Sequence, residues 1–370
     1  MSSSPLRVAV AGLGFGEKVH LEALRCSADW EPVALWHPRP ERLEVACRSQ
    51  GLRGETSFEA LLEDPSIDAV VIATPPGPRH QLAMGALEAG KHLMLEKPVG
   101  LNAQEVDNLQ RLALARGLTV AVDFEYRAVP LFQQLANLLR QGTLGNPWLV
   151  KLDWLMASRA DAARPWSWYS DASQGGGVLG ALGTHAFDLL HWLVGPSSSL
   201  TAHLSTAIDR RPDPNTGALT AVDAEDIALI QMQLQGWGER PVPAQMNLAS
   251  VTRAGRGFWL ELYGSDATLV LGSDNQDDYV HGFGLWIARP GEALRPVAPD
   301  AELAFRRTWG DGRIAPVERL HGWWAQAIRE QRPMVPGLLE ALASQRCCDQ
   351  ARQSAPTNPP IGITTNMPSS

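Results

Sequence analysis

The apolar positions of this chain follow two rhythms. Up to about residue 125, short runs that are apolar on both faces alternate with helical stretches. LRVAVAGLG, EPVALWH, IDAVVIATPP, KHLMLEKP and LTVAVDFEY read as strands, and EKVHLEALRCS, PERLEVACRSQ, HQLAMGALEAG and AQEVDNLQRLALARG read as helices. Strands that are apolar throughout need cover on both faces, which helices between parallel strands supply. Residues 1–125 are therefore expected to form a doubly wound α/β domain, which binds ligands at the carboxyl ends of its strands.

After Arg127 the rhythm changes. A helix, VPLFQQLANLLRQG, is followed by segments of alternating character: PWLVKLDWLM, LTAHLSTAI, DIALIQMQLQ, AQMNLASV, GFWLELYGS and ATLVLGS. They imply an α+β domain over 126–353 with an antiparallel sheet, and the glycine-rich helix GGGVLGALGTHAFD beside it. The late helices VERLHGWWAQAIREQ and GLLEALASQRCCDQARQS complete this unit or pack back on the first, and 354–370 reads as a loose tail.

Composition narrows the partners. With 45% hydrophobic and 19% charged positions the chain reads as soluble and globular, and a net charge of −8 without a Lys/Arg cluster argues against nucleic acid. No apolar run reaches the roughly 18 residues of a membrane span. A small molecule is the expected partner. Cys26, Cys47, Cys347 and Cys348 show no CxxC pair and no metal-ligand spacing, which predicts free thiols, a reducing cytoplasmic setting and no bound metal. Of 13 tryptophans, Trp148, Trp154, Trp166, Trp168 and Trp192 fall in the middle third, where they wall a pocket or fill a core.

The candidate chemistry starts at the first strand–helix junction, where Gly12, Gly14, Phe15 and Gly16 lie. Glycines there permit positive φ and close backbone approach, and the helix N-terminus offers N–H groups to a pyrophosphate. The third glycine or alanine of the dinucleotide fingerprint would fall at position 17, which holds Glu17; Gly16 stands one place early. After the second strand an NAD site usually has an acid for the adenosine ribose. Here His37 occupies that place, with Arg39 and Arg42 behind it, which favours the 2′-phosphate of NADP over NAD unless the arginines only face solvent.

VVIATPPGPRH, AGKHLMLEKPVG and GGGVLGALGTHAFDLLHWLVG, in that order behind GLGFGEKVH, resemble the Gfo/Idh/MocA oxidoreductases over nearly the whole chain. The resemblance implies a Rossmann domain followed by an α+β domain with an open, mostly antiparallel sheet, whose free face makes a homodimer or homotetramer contact. It also implies that Glu96, Lys97 and Pro98 end the fifth strand, with Lys97 at the nicotinamide ribose and the substrate hydroxyl. Thr74 and Pro75 would line the same crevice, as would His80 opening the next helix.

By the same likeness His185 is the acid/base. A histidine suits that work because its ordinary pKa lies near neutrality. The family's usual aspartate ahead of it is replaced by Ala181, so the Asp–His pair is missing. Asp188, at i+3, is one candidate to orient the imidazole, and Lys97 or Tyr126 to share the proton work. Lys151 and Asp153 on one strand, and Arg164, Trp166, Trp168 and Tyr169 ahead of the glycines, are candidate substrate contacts. The expected activity is NADP- or NAD-dependent oxidation of a sugar, inositol or related polyol. A silent dinucleotide or sugar sensor, and a reductase of a non-sugar carbonyl, are the alternatives.

Overall fold

A computed structural model describes residues 4–354 apart from 239, 276 and 279, so the expected tail, save Ser354, lies outside the described residues. Strands β1 (Leu6–Ala11), β2 (Trp30–Trp36), β3 (Arg53–Glu55), β4 (Ala69–Ile72), β5 (His92–Leu95) and β6 (Val120–Val122) form one sheet in the order β3-β2-β1-β4-β5-β6. All pairs are parallel. The chain winds outward from β1 in both directions, so a crevice opens where β1 and β4 end. The four residues of β4 are fully buried, as their unbroken apolar sequence requires. The short polar β3 has no apolar signal and was not expected.

Helices α1 (Leu21–Arg25), α2 (Pro40–Gln50), α3 (Phe58–Leu62), α4 (Pro76–Glu88) and α5 (Ala103–Arg116) divide between the two faces of this sheet. Their ends are written locally. The Asn102 side chain caps α5 by accepting the Glu105 amide at 3.0 Å, and Pro40 and Pro76 open α2 and α4, where the missing N–H costs nothing.

The second domain begins with α6 (Pro130–Arg140). Its sheet contains β7 (Pro147–Leu155), β8 (Ser197–Ser205), β11 (Ile227–Leu234), β12 (Val242–Ala249), β13 (Gly257–Gly264), β14 (Thr268–Ser273), β15 (Gly284–Ala288) and β16 (Arg295–Pro296), with a small separate hairpin of β9 (Arg210–Pro212) and β10 (Leu219–Ala221). The order is β16-β15-β14-β13-β7-β12-β11-β8, antiparallel except for β7 with β12. One face is covered by α6 and α7 (Thr184–Leu193). The other is open, which is why the strands alternate inward apolar with outward polar residues.

Two late helices fasten the halves together. On α8 (Ile314–Arg329), Trp324 stacks on Trp30 with ring centroids 4.3 Å apart, and the Trp30 indole donates to the His321 carbonyl at 3.0 Å. α9 (Leu338–Ser354) puts Leu338 and Leu342 into the first core and Cys347, Cys348 and Ala351 into the second. Its Ser344 Oγ donates to the Thr184 carbonyl at 2.7 Å, pinning the start of α7. All four cysteines are free thiols, and no described helix is long and apolar enough to cross a membrane.

Candidate active site

The carboxyl edge of the parallel sheet opens into a cavity of about 850 Å³ that reaches across to α7. Gly12, directly after β1, has φ +112°, and a Cβ there would stand 2.6 Å from the Ala73 carbonyl oxygen. Any side chain would hold the β1 and β4 loops apart. Gly14 and Phe15 continue the wall. Gly16 does not line it. It opens a π-helical turn, Gly16–His20, where a Cβ would come within 3.0 Å of Ala73 Cβ and 3.1 Å of Val10 Cγ1. This is the close helix–strand packing that the third fingerprint glycine serves, performed one place early. Glu17 turns aside and accepts from Gln50 Nε2 at 3.1 Å.

His37, Arg39 and Arg42 form the wall beyond β2. His37 Nδ1 accepts the Arg39 amide at 3.0 Å, and burial, with the charges of Arg42 and Arg39, holds its pKa below the usual histidine range. The imidazole is thus neutral near pH 7, and the arginines carry the charge at this end. Thr74 and Pro75 line the next stretch, and the buried Thr74 Oγ1 has no partner among the described residues. Arg79, which sequence reasoning passed over, fixes this edge: its guanidinium donates to the carbonyls of Thr74, Glu96 and Pro98, the Glu96 contact at 2.8 Å. Burial lowers its pKa to about 10, still fully protonated. The bare glycine turn, the unpartnered hydroxyl and the two arginines fit a dinucleotide.

Glu96, Lys97 and Pro98 follow β5 in the wall, with a cis peptide between Lys97 and Pro98. Behind them lies a buried ionic cluster. Glu96 Oε1 is 3.0 Å from His20 Nε2, His20 Nδ1 is 3.1 Å from His321 Nε2, and Asp123 Oδ2 is 3.5 Å from His20. Burial alone would raise the Glu96 pKa, but the His20 hydrogen bond and then Lys97 outweigh it and bring Glu96 to about 2. Burial, then the charges of Glu96 and Glu125, push Asp123 well up. Glu96 is therefore the fixed anion beneath Lys97. The contacts among these groups are hydrogen bonds or close ion pairs, and His20, Glu96 and Asp123 stand near enough to one another to offer ligand atoms to a single ion.

From the second domain, Leu179–Gly183 form a π-helical turn that runs into α7 and brings Ala181, Leu182 and His185 to the cavity. Lys97 Nζ spans the gap and donates to the Ala181 carbonyl at 3.1 Å. A carboxylate does stand beside the imidazole: Glu125 Oε2 lies 3.4 Å from His185 Nε2. Glu125 sits on a 3₁₀ turn, Glu125–Ala128, just after β6, and Tyr126 of that turn meets the His185 ring edge-on, centroids 5.0 Å apart at 86°. Burial, helped by Lys97, pushes the His185 pKa well down. Burial pushes Glu125 up to about 7, with Lys97 opposing. The result is a neutral imidazole, a carboxyl near its midpoint and an ammonium around one end of the cavity.

Several expected contacts lie elsewhere. Asp188 does not orient His185; it makes a bidentate pair with Arg127, Oδ1–Nη2 2.6 Å and Oδ2–Nε 2.8 Å. Lys151 and Asp153 face away from the cavity, because Val150, Leu152 and Trp154 take the inward positions of β7 and side chains alternate. They pair with each other at 3.0 Å, and Asp153 accepts from Asn247 at 2.6 Å. Trp166 donates to the Ala221 carbonyl at 3.0 Å on the β9–β10 hairpin, and Arg164 to that of Ser158 at 3.3 Å; neither lines the cavity. His80, one turn into α4, is also outside the wall. Tyr126, Trp168 and Tyr169 do line it, joined by Trp154, one of the tryptophans expected to wall a pocket or fill a core, and by Arg159 and Arg313, which the sequence did not single out.

Comparisons with known proteins agree with this architecture. A model of an oxidoreductase family with an NAD-binding Rossmann fold matches residues 6–124, and that of its C-terminal alpha/beta domain matches 136–363. An uncharacterized oxidoreductase of Synechocystis sp. is 43% identical over 357 residues, which are 96% of this chain and 95% of that protein. Levoglucosan dehydrogenase of Pseudarthrobacter phenanthrenivorans is 27% identical over 301 residues, 74% of this chain and 75% of its own. A solved levoglucosan dehydrogenase in complex with NADH has the same fold, with a TM-score of 0.84 at 23% identity over 95% of this chain and 97% of that one.

Proposed function

The chain belongs to the Gfo/Idh/MocA oxidoreductase family, and from that premise we propose that it transfers hydride between NADP, in preference to NAD, and a sugar, inositol or related polyol. The observation that carries this reading is the convergence of Lys97, His185 and Glu125 at the end of the crevice beside the dinucleotide turn. The bound dinucleotide would supply the hydride acceptor or donor. Gly12, Gly14 and the loop behind them would hold its pyrophosphate, Arg39 and Arg42 a 2′-phosphate, and Thr74 with Lys97 the nicotinamide end.

The protein's part is the proton. In the oxidative direction the substrate C–H bond gives up hydride and its O–H gives up a proton, leaving a carbonyl. His185, neutral because it is buried beside Lys97, accepts that proton. The Lys97 ammonium, held by Ala181 O, stabilises the developing alkoxide. The imidazolium that forms gains a partner in the nearby Glu125 carboxylate, whose Oε2 has no hydrogen bond among the described residues. Reduction runs the same steps backward. Trp154, Trp168 and Tyr169 give the substrate flat apolar walls suited to sugar C–H faces. In the experiment, NADP⁺ or NAD⁺ is mixed with purified protein and a panel of sugars and polyols while nicotinamide absorbance is followed. At least one member should be oxidised, and faster with NADP⁺. Cofactor binding without turnover across the panel would overturn the reading.

The free face of the large sheet supports a second copy of this chain as partner. Leu149 and Leu229, at outward positions of β7 and β11, are 41% and 47% exposed. A monomer by light scattering would contradict that contact.

A further inference from the structure

The second-domain end of the cavity is cationic in a way that a neutral polyol does not require. After β7 the chain runs as MASRADAARP, and within it the Arg159 side chain enters the cavity wall beside Trp154, Trp168 and Tyr169. Its guanidinium lies over the Tyr169 ring, 4.1 Å from the centroid. Its own backbone is held firmly: the Arg159 amide donates to Ser250 O at 2.8 Å, and Arg211 Nη2 donates to Arg159 O at 2.6 Å. Arg211 also donates to Asp161 O at 2.7 Å, Arg253 to Ala160 O at 3.0 Å and Arg164 to Ser158 O at 3.3 Å. Four arginines thus gather around the four residues 158–161, their polar contacts made to backbone carbonyls or to Tyr169. Among the described residues, no carboxylate comes within 4.0 Å of any of the four.

This is unusual for a protein whose net charge is −8. Burial, and then the charges of Arg164 and Arg211, lower the Arg159 pKa, with Tyr169 opposing, so holding this cation here has a cost that no carboxylate paired with it among the described residues offsets. A ligand anion would offset it. Arg159 is separate from the arginines at the dinucleotide end, which stand on the first domain beyond β2.

We propose that Arg159 is a specificity-determining residue and that the substrate is an acidic sugar or polyol, whose carboxylate or phosphate group pairs with this guanidinium while its reacting hydroxyl faces Lys97 and His185. The planar fork of arginine binds either group through two parallel hydrogen bonds, and the neighbouring arginines add long-range attraction. The proposal deepens the reading of the site as a sugar or polyol oxidoreductase and names the class of substrate within it.

The test measures binding apart from turnover. Tryptophan fluorescence of the NADPH complex, to which Trp154 and Trp168 contribute from the cavity wall, is titrated at constant ionic strength with D-glucuronate, D-gluconate and D-glucose 6-phosphate. Their neutral counterparts are D-glucose and D-glucitol. The acidic compounds separate carboxylate from phosphate as the preferred group. At least one should bind about tenfold or more tightly than its neutral counterpart. R159M should bring the two within about threefold, chiefly by weakening the acidic compounds, while leaving NADPH binding unchanged. R159K, which keeps the charge and loses the fork, should fall between, and serves as the reference should R159M melt early. Equal or tighter binding of the neutral sugars, no binding of any acidic member, or an equal loss for both classes in R159M and R159K would overturn the proposal. Charge-selective binding without hydride transfer from any compound would retain this inference and defeat the dehydrogenase reading instead.

Discussion

The two ends of the cavity are built from different materials. The dinucleotide end is a matter of backbone: a glycine turn, strand ends brought together at Gly12 and Ala73, and Arg79 tying three carbonyls. The substrate end is made of side chains drawn from distant segments, with Lys97, Glu125, Arg159, Trp154 and His185 meeting only in the folded protein. A backbone site tolerates changes of most side chains around it, whereas a side-chain site fails one residue at a time.

Substitutions should expose that contrast. The largest expected effect is at His185. H185N should lower kcat by about 10²–10⁴-fold, the usual worth of general acid–base help, while NADPH binding measured by fluorescence stays the same. K97M comes next, with a loss of about 10²–10³-fold if the ammonium stabilises the alkoxide. A kcat within about threefold of the wild type in either variant would remove that residue from the chemistry. At the other end the loss should fall on one cofactor only. R39A/R42A should weaken NADPH by about tenfold or more and leave NADH nearly unchanged, and equal weakening of both would refute a 2′-phosphate site.

The same contrast explains what was legible in the sequence. The cofactor end follows contiguous motifs, so the GLGFG junction is legible along the chain and Thr74-Pro75 and Glu96-Lys97-Pro98 through the family resemblance; Gly12, Gly14, Phe15 and these five residues all line the cavity. The substrate end depends on which side of a strand or helix faces inward. Lys151 and Asp153 have the chemistry of substrate contacts, but the alternation of β7 gives the inward face to Val150, Leu152 and Trp154. Asp188 has the spacing to reach His185, yet Arg127, 61 positions away in sequence, claims it. Glu125 was passed over beside the more conspicuous Tyr126. A signal was present: VAVDFEY carries two acids among apolar and aromatic residues, and buried acids need a reason. Arg159 left no such signal, since its place in the wall follows from the fold of the loop.

A smaller effect concerns stability. Glu125 has a folded pKa of about 7 against an ordinary 4.5, so folding favours its neutral form. That contribution is complete below the unfolded value and is lost as pH rises through about 7. E125Q, which never ionises, should therefore gain on the wild type by about 1–2 °C in Tm on going from about pH 6 to about pH 8. A constant difference in Tm would show that Glu125 is not held in this way.

Most directly at stake is the claim that Glu125 stands in for the aspartate missing at position 181. The decisive measurement is the pH dependence of kcat/KM for oxidation of a turned-over polyol by wild type, E125Q and A181D. With Glu125 supporting the imidazolium, wild-type kcat/KM rises through an apparent pKa near 7. E125Q is slower above that pH and loses the step, and A181D adds less than about threefold to a site already supplied with its acid. An E125Q profile that keeps the step at full rate, together with a gain of about tenfold or more in A181D, would show that the alanine leaves a vacancy which Glu125 does not fill.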